Sequence, residues 1–286
     1  MMTNKKVWFV TGASKGLGLT LVRELLAAGY AVAATSRKLE ALRQALPGAD
    51  DRFLPLQMDL SSEESVRQAL EATIGTLGGL DVVVNNAGYG QLGGLEEISD
   101  QEARQNFEVN VFGLLNVLRV ATPYLRQRGA GRVFNISSSG GFMGNFPGWG
   151  IYCATKFAVA GLTESYAAEV KDFGIQATVV YPGSFRTDFL TSDSLALPRQ
   201  PLAAYHAIHE SQVLQDQHYN GQQPGDPAKA AAVLIQVSEA DNPPLHLFLG
   251  EDAHQVADFK IAAVQHDLQQ WQAMAAATSF AALAPD

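Results

Sequence analysis

Val7-Trp8-Phe9-Val10-Thr11-Gly12-Ala13-Ser14-Lys15-Gly16-Leu17-Gly18 is the stretch that decides the fold. It starts as an unbroken apolar run, the pattern of a strand buried on both faces. Glycines then punctuate a turn, and an amphipathic stretch from Leu17 to Ala28 follows at once. A glycine-rich turn between strand and helix lets backbone approach a pyrophosphate closely, while the helix N-terminus offers free N–H groups to the anion. The spacing Gly-x-x-x-Gly-x-Gly departs from the commoner Gly-x-Gly-x-x-Gly, so placement carries the inference more than spacing does. Gly12, Ser14, Lys15, Gly16, Leu17 and Gly18 are therefore candidate nucleotide contacts.

Outward from this turn the same rhythm recurs. Apolar runs at Tyr30 to Thr35, around Phe53, at Leu80 to Val84, Arg132 to Ile136 and Ile175 to Tyr181 alternate with amphipathic stretches. Such alternation predicts βαβ units and an α/β, doubly wound parallel sheet of Rossmann type. Gly29 and Gly174 stand where the first helix and a later helix beginning near Tyr152 should end. With no repeat or long linker, residues 1–286 read as a single domain. The segment from about 184 to 227 breaks the rhythm. It carries Pro198, Pro201, Pro224 and Pro227 and no clear strand, which reads as a substrate lid. A helix over Ala228 to Val237 and a last strand at Leu245 to Leu249 are expected after it. The chain then reads as a C-terminal amphipathic helix over about 256–277, with Trp271 on its apolar side and an Ala-rich end, Ala273 to Ala284, expected to fray.

The second strand ends in Ala34-Thr35-Ser36-Arg37-Lys38, where an enzyme selective for NAD would place an acid on the ribose hydroxyls. Arg37 stands there instead. Together with Lys15 it offers charge-assisted bonds to a 2′-phosphate and favours NADP(H). Further on, Tyr152 and Lys156 lie four apart in an expected helix and so share a face. A phenol is a poor base near neutral pH unless positive charge nearby favours its phenolate, and Lys156 can supply that charge. Upstream, Ser137-Ser138-Ser139 puts hydroxyls at a carboxyl strand end, where ligands sit in open α/β sheets.

The glycine turn, Asn85-Asn86-Ala87-Gly88, the serine strand end, Tyr-x-x-x-Lys and Tyr181-Pro182-Gly183 occur in the order seen in the short-chain dehydrogenase/reductase family, which the chain resembles from roughly Lys6 to Thr187. The resemblance implies hydride transfer between a nicotinamide cofactor and a carbonyl compound or alcohol. In it Tyr152 moves the substrate proton, Lys156 holds the nicotinamide ribose and lowers the tyrosine pKa, and a serine bonds the substrate oxygen. Asn110 matches the family asparagine that supports a proton-relay water. Asp59 and Asn86, Ala87 and Gly88 match positions beside the adenosine half, and Thr187, after Pro182-Gly183, matches a contact to the carboxamide. The usual thirteen-residue spacing to the tyrosine picks Ser139, whereas the end of the Asn-Ile-Ser-Ser strand picks Ser138. Ser138 is preferred, because the strand end sets side-chain direction and the following loop can absorb a residue. The resemblance also implies a homo-oligomer, dimer or tetramer. Two alternatives remain: an acyl-thioester ketone reductase of the same fold, and a non-catalytic NADP(H)-binding regulatory protein.

Composition narrows the classes. Hydrophobic residues make up 47% and charged ones 17%, a globular balance. The 20 basic and 29 acidic residues give a net charge of -9, and no basic stripe marks a nucleic-acid partner. No apolar run reaches the ~18 residues of a membrane span, so a soluble chain is expected. Cys153 is the only cysteine, which fits a cytoplasmic setting and reads as a small buried hydrophobe. His206 and His209, with His218 beyond, lack a carboxylate or thiol to complete a ligand set, and no metal is expected.

Overall fold

In the computed structural model, residues 5–191, 194–214, 217 and 219–280 are described. The opening stretch forms β1 (Val7–Val10) and α1 (Gly16–Ala27), followed by β2 (Ala31–Ser36), α2 (Leu39–Ala45), β3 (Phe53–Gln57), α3 (Glu63–Leu77) and β4 (Val82–Asn85). A two-residue strand, β5 (Gly90–Gln91), precedes α4 (Asp100–Phe107), and a π-helical turn over Glu108–Phe112 leads into α5 (Gly113–Arg128). Then come β6 (Gly131–Ile136), α6 (Gly150–Val170), β7 (Ile175–Pro182), the short β8 (Leu195–Ala196), α7 (His206–Leu214), α8 (Pro227–Glu239), β9 (His246–Leu249) and α9 (Glu251–Ala276).

Seven strands form one parallel sheet in the order β3-β2-β1-β4-β6-β7-β9. Side chains alternate across it, as the pleat requires. Phe9, Ala33, Val83 and Val133 point into a core shared with α3, α5 and α6, while Trp8, Val10, Val32, Val84 and Phe134 pack against α1 and α8. Burial on both faces explains why these strands read as continuous apolar runs. Strand order reverses between β1 and β4, and ligands of such sheets bind outside the carboxyl ends of the strands at that switch. Gly29 and Gly174 end their helices at φ +85° and +72°, where a side chain would be strained.

Two expectations need correction. The segment read as strandless contains β8, which pairs in parallel with β5 (Gly90 with Leu195, Gln91 with Ala196). A two-residue strand is too short to leave a periodic signal. The C-terminal helix begins at Glu251, about a turn before the expected start, because Glu251 and Asp252 suit a helix N-terminus. Trp271 does not pack on the body: it is 53% exposed. Only Ala253 and Ala257 of α9 are buried. The expected fraying end lies partly outside the described residues, as do Ser192, Asp193, Gln215, Asp216 and His218 of the supposed lid.

Candidate active site

The turn after β1 is shaped by what it packs against. Gly12 has φ +65°, and a Cβ there would lie 2.6 Å from the Ala87 Cα. A Cβ on Gly18 would lie 2.4 Å from Asn86 Nδ2. These glycines let the Asn86-Ala87 loop press onto the turn. Asn86 Nδ2 donates to the carbonyls of Thr11 (2.9 Å) and Gly12 (3.0 Å), and Thr11 Oγ1 accepts from the backbone N–H of Asn86 and Ala87. β1 and β4 are thus tied at the switch point. Gly18 is spent on this packing and does not face the cavity.

At the end of β6, the Ser137 hydroxyl donates to the Lys156 carbonyl (2.8 Å), and Lys156 Nζ donates back to the Ile136 carbonyl (2.9 Å). This reciprocal pair clamps α6 to the strand end. Tyr152, one turn before Lys156, is buried beside it, with Nζ 5.7 Å from the ring centre. Burial pushes the Tyr152 phenol well above its usual value, and a hydrogen bond with Ser138 works against that rise. Burial also lowers the Lys156 ammonium to about 8. In the protein alone the lowered tyrosine pKa implied by the family resemblance is therefore absent, because desolvation of the phenol outweighs its neighbours. Ser138 and Ser139 both line the cavity, but Ser138 is the one whose hydroxyl counters the rise of the phenol, and Ser138 Oγ accepts from the Gly140 N–H at 3.1 Å. Cys153 is buried, and desolvation raises its thiol to about 11, which keeps it neutral.

Asn110 lies in the π-helical turn, 2% exposed, and its side chain is occupied by protein. Its Oδ1 accepts from the Tyr89 N–H, and its Nδ2 donates to the Tyr89 carbonyl and to Thr155 Oγ1, each at 3.0 Å. Thr155 in turn donates to the Tyr152 carbonyl at 2.7 Å. Asn110 therefore links the loop after β4 to α6, and its side chain does not line the cavity.

One cavity of about 1010 Å³ runs from the glycine turn to Tyr152. Gly12, Ser14, Lys15, Gly16, Leu17, Arg37, Asp59, Asn86, Ala87, Gly88, Ser138, Tyr152, Lys156, Pro182, Gly183 and Thr187 all line it; of the candidate residues only Gly18 and Asn110 do not. The β2 end presents no carboxylate: Ser36 Oγ donates to Ser14 Oγ at 3.2 Å, and Arg37 is exposed at the rim. Around Tyr152 the wall is aromatic. Its ring centre lies 5.5 Å from that of Trp149 and 5.6 Å from that of Phe189. Sequence reasoning missed Trp149, although its three-residue spacing from Tyr152 at the start of a helix was available. It also missed Tyr89, Tyr219 and Gln223, which no motif flags.

The short chain dehydrogenase family matches residues 6–196. The chain belongs to that family. It is 33% identical over 277 residues to oxidoreductase BOA17 of Botryotinia fuckeliana, covering 96% of this chain and 99% of that one. To the 3-ketodihydrosphingosine reductase of Bacteroides thetaiotaomicron it is 33% identical over 248 residues, covering 86% and 88%. Among solved structures, a short-chain dehydrogenase from Streptomyces avermitilis superposes with a TM-score of 0.87 at 36% identity, covering 96% and 100%. ElxO with NADP bound superposes at 0.71 with 26% identity, covering 86% and 97%. The short-chain dehydrogenase expected from the sequence is thus matched by both family and fold.

The segment over 184–227, expected as a lid, divides in two. Its neck is closed by a bridge between Phe185 and Gly225 and by the Arg186 guanidinium on the Gln223 carbonyl. Its first half is pinned to the body. Glu97, whose side chain is fully buried, accepts from the Leu202 N–H (2.8 Å), the Gly94 N–H (2.7 Å) and His209 Nε2 (2.7 Å). Glu102 accepts from the Arg199 N–H at 3.0 Å. Pro198, Tyr205 and Ile208 occupy the space left by Gly93, Gly94 and Gly148. Of the apolar side chains in this segment, Phe185, Phe189, Leu190 and Leu214 line the cavity. Leu195, Leu197, Leu202, Tyr205 and Ile208 do not, and Leu197 and Leu202 face solvent.

Proposed function

We propose that the protein is an NADP(H)-dependent enzyme interconverting a hydrophobic aldehyde or ketone with its alcohol. The observation that carries this reading is the single cavity joining the Gly12 to Gly16 turn to Tyr152, Ser138 and Lys156. The cavity suits a dinucleotide: its outer end has backbone N–H groups at a helix N-terminus and Lys15, and its rim has Arg37 where an acid would repel a 2′-phosphate. Asp59 and Asn86 to Gly88 would hold the adenosine half, and Pro182, Gly183, Thr187 and Lys156 the nicotinamide half. When bound, the nicotinamide supplies or accepts a hydride at the substrate carbon.

The chain's own residues handle the oxygen. In reduction, Tyr152 donates its hydroxyl proton to the carbonyl oxygen while Ser138 donates a hydrogen bond to the same atom, so both act where negative charge develops. Burial keeps the phenol in the protonated form that this donor role uses. Lys156, fixed by Ile136, orients the ribose and keeps positive charge beside the phenolate left behind. Trp149, Phe189, Leu190 and Leu214 exclude water and favour apolar substrates over small charged acids. The outer part of the 184–227 segment acts as the lid. We assign these roles within one domain, in a cytoplasmic homo-oligomer.

The test is oxidation of NADPH and NADH followed across a panel of aldehydes and ketones. Turnover with apolar carbonyl compounds and NADPH is expected. Tight NADPH binding without turnover of any carbonyl compound would favour a regulatory protein instead.

A further inference from the structure

Asp252 stands in the first turn of α9, where an acid suits the helix N-terminus. Its side chain does something further. Oδ2 accepts from the backbone N–H of Ser184 at 2.6 Å, and that donor has no other partner among the described residues. A pair of glycines makes the seat for the carboxylate. Gly183 follows β7 and Gly250 follows β9, strands whose last residues, Pro182 and Leu249, are paired in register. A Cβ on Gly183 would lie 2.5 Å from Asp252 Cγ, and one on Gly250 would lie 2.6 Å from Asp252 Oδ1. The carboxylate thus fills the gap between neighbouring strand ends. Ser184 is held on its other side as well: its carbonyl accepts from the Gly225 N–H at 2.9 Å, across the neck of the 184–227 segment. Pro182, Gly183, Ser184 and Phe185 all line the cavity.

We propose that Asp252 is a positioning residue for the nicotinamide half of the cofactor: it fixes the turn over residues 182–185 against which that half binds. The inference rests on the cofactor reading given above. An aspartate at this place can serve the helix or the turn, and the two roles ask different things of residue 252. The helix dipole needs negative charge in the first turn, which a glutamate supplies as well as an aspartate, and Glu251 already stands beside it. The turn needs an acceptor of aspartate length seated between Gly183 and Gly250. An asparagine carbonyl meets that need, whereas a glutamate, longer by a methylene, overfills the seat. Without an acceptor the Ser184 N–H loses its partner, and Gly183 has the backbone freedom that lets the turn drift. Such drift displaces the 182–185 wall and leaves the glycine turn after β1 in place, so the nicotinamide half feels it and the adenosine half does not.

The experiment is titration of the full chain, as wild type, Asp252→Ala, Asp252→Asn and Asp252→Glu, with NADPH, with NADH and with adenosine 2′,5′-bisphosphate, which carries the adenosine half alone. Turnover of an apolar ketone and thermal unfolding are followed in parallel. Asp252→Ala and Asp252→Glu should bind NADPH about tenfold more weakly and lower kcat about tenfold, with the bisphosphate bound within about twofold of wild type. Asp252→Asn should stay within about threefold of wild type in NADPH affinity and kcat. Should Asp252→Ala not fold, the opposed behaviour of Asp252→Asn and Asp252→Glu decides alone. Wild-type behaviour in Asp252→Glu together with loss in Asp252→Asn overturns the proposal, since charge at the helix N-terminus then suffices. Equal losses for NADPH and the bisphosphate in Asp252→Glu overturn it too, as a general loosening of the fold. If wild type binds NADPH and every variant matches it, this inference falls alone. Wild type that binds neither NADPH nor NADH overturns the cofactor reading and this inference with it.

Discussion

Lys156 and Tyr152 are moved in opposite directions by one cause: burial in the same wall of the cavity drives the ammonium down to about 8 and the phenol up, so both lean toward their neutral forms in the free protein. The pair is held one turn apart on α6 by the Lys156 bond to Ile136. Proton transfer to substrate then needs no prior ionisation of the tyrosine. Tyr152→Phe is expected to keep the fold and cofactor affinity while lowering kcat by about 10² to 10⁴ fold. Near wild-type turnover in that variant would remove Tyr152 from the mechanism. Of the neighbouring serines, Ser138→Ala should lose far more activity than Ser139→Ala, since the Ser138 hydroxyl is the one that counters the rise of the phenol.

The buried Lys156 also makes a stability prediction with a definite sign. Its folded pKa, about 8, lies below the 10.5 of the free side chain, so the unfolded chain binds the proton more tightly. The destabilisation is complete below about pH 8 and is relieved as pH rises from there toward 10.5. Lys156→Met should therefore stabilise the free protein at pH 7 by about 1–2 kcal/mol after loss of the bond to Ile136, while abolishing most turnover. Thermal unfolding of both proteins at pH 7 and pH 10 checks this: the gap between them should narrow at the higher pH. A variant less stable than wild type at pH 7 would mean that the ammonium is well solvated through the cavity.

If Arg37 reads a 2′-phosphate, its loss should be felt by one cofactor only. Charge-assisted bonds are worth roughly 1.5–3 kcal/mol, so Arg37→Ala should weaken NADPH binding by about ten to a hundred fold and leave NADH nearly unchanged. Titration of both cofactors into the variant measures this, and equal losses would assign the arginine a purely structural part.

The seven strands of the main sheet and the strand-end residues of the cavity were legible in the sequence for one physical reason: a parallel sheet buried on both faces writes each strand as an apolar run, and the residues at its strand ends are marked by glycine, serine and proline. Gly12 and Gly18 were legible as glycines, but their immediate duty is to admit Ala87 and Asn86, a long-range contact that local spacing does not encode. The same holds for Asn110, whose partners Tyr89 and Thr155 come from separate elements. The β8 strand, Trp149 and the clamp by Glu97 stayed hidden because each depends on tertiary pairing. Trp271 was legible as lying on the apolar side of its helix, but amphipathic periodicity tells that a face is apolar, not what covers it.

If the 184–227 segment acts as a lid, its division in two predicts which part opens. Residues 195–209 are held by β8 on β5, by the carboxylates of Glu97 and Glu102, and by side chains seated on Gly93, Gly94 and Gly148. From Glu210 to Gln222 such ties are missing among the described residues, while Ser211, Leu214 and Tyr219 line the cavity. Limited proteolysis of the free protein should therefore cut between Glu210 and Gln222 and spare 195–209, and NADPH with an apolar ketone should protect the outer part. The clamp has its own pH dependence. Burial alone would raise the Glu97 pKa, but the N–H groups of Leu202 and Gly94 and the His209 imidazole outweigh it and hold the carboxyl below its usual value. Its contribution is thus present above the ordinary glutamate pKa and is lost as pH falls through the lowered one. Glu97→Gln should extend the cuts back toward Leu202 at neutral pH and raise KM for the carbonyl substrate more than it lowers kcat. Cuts confined to the outer part in both proteins would show that the glycine-seated side chains hold the inner half without the carboxylate.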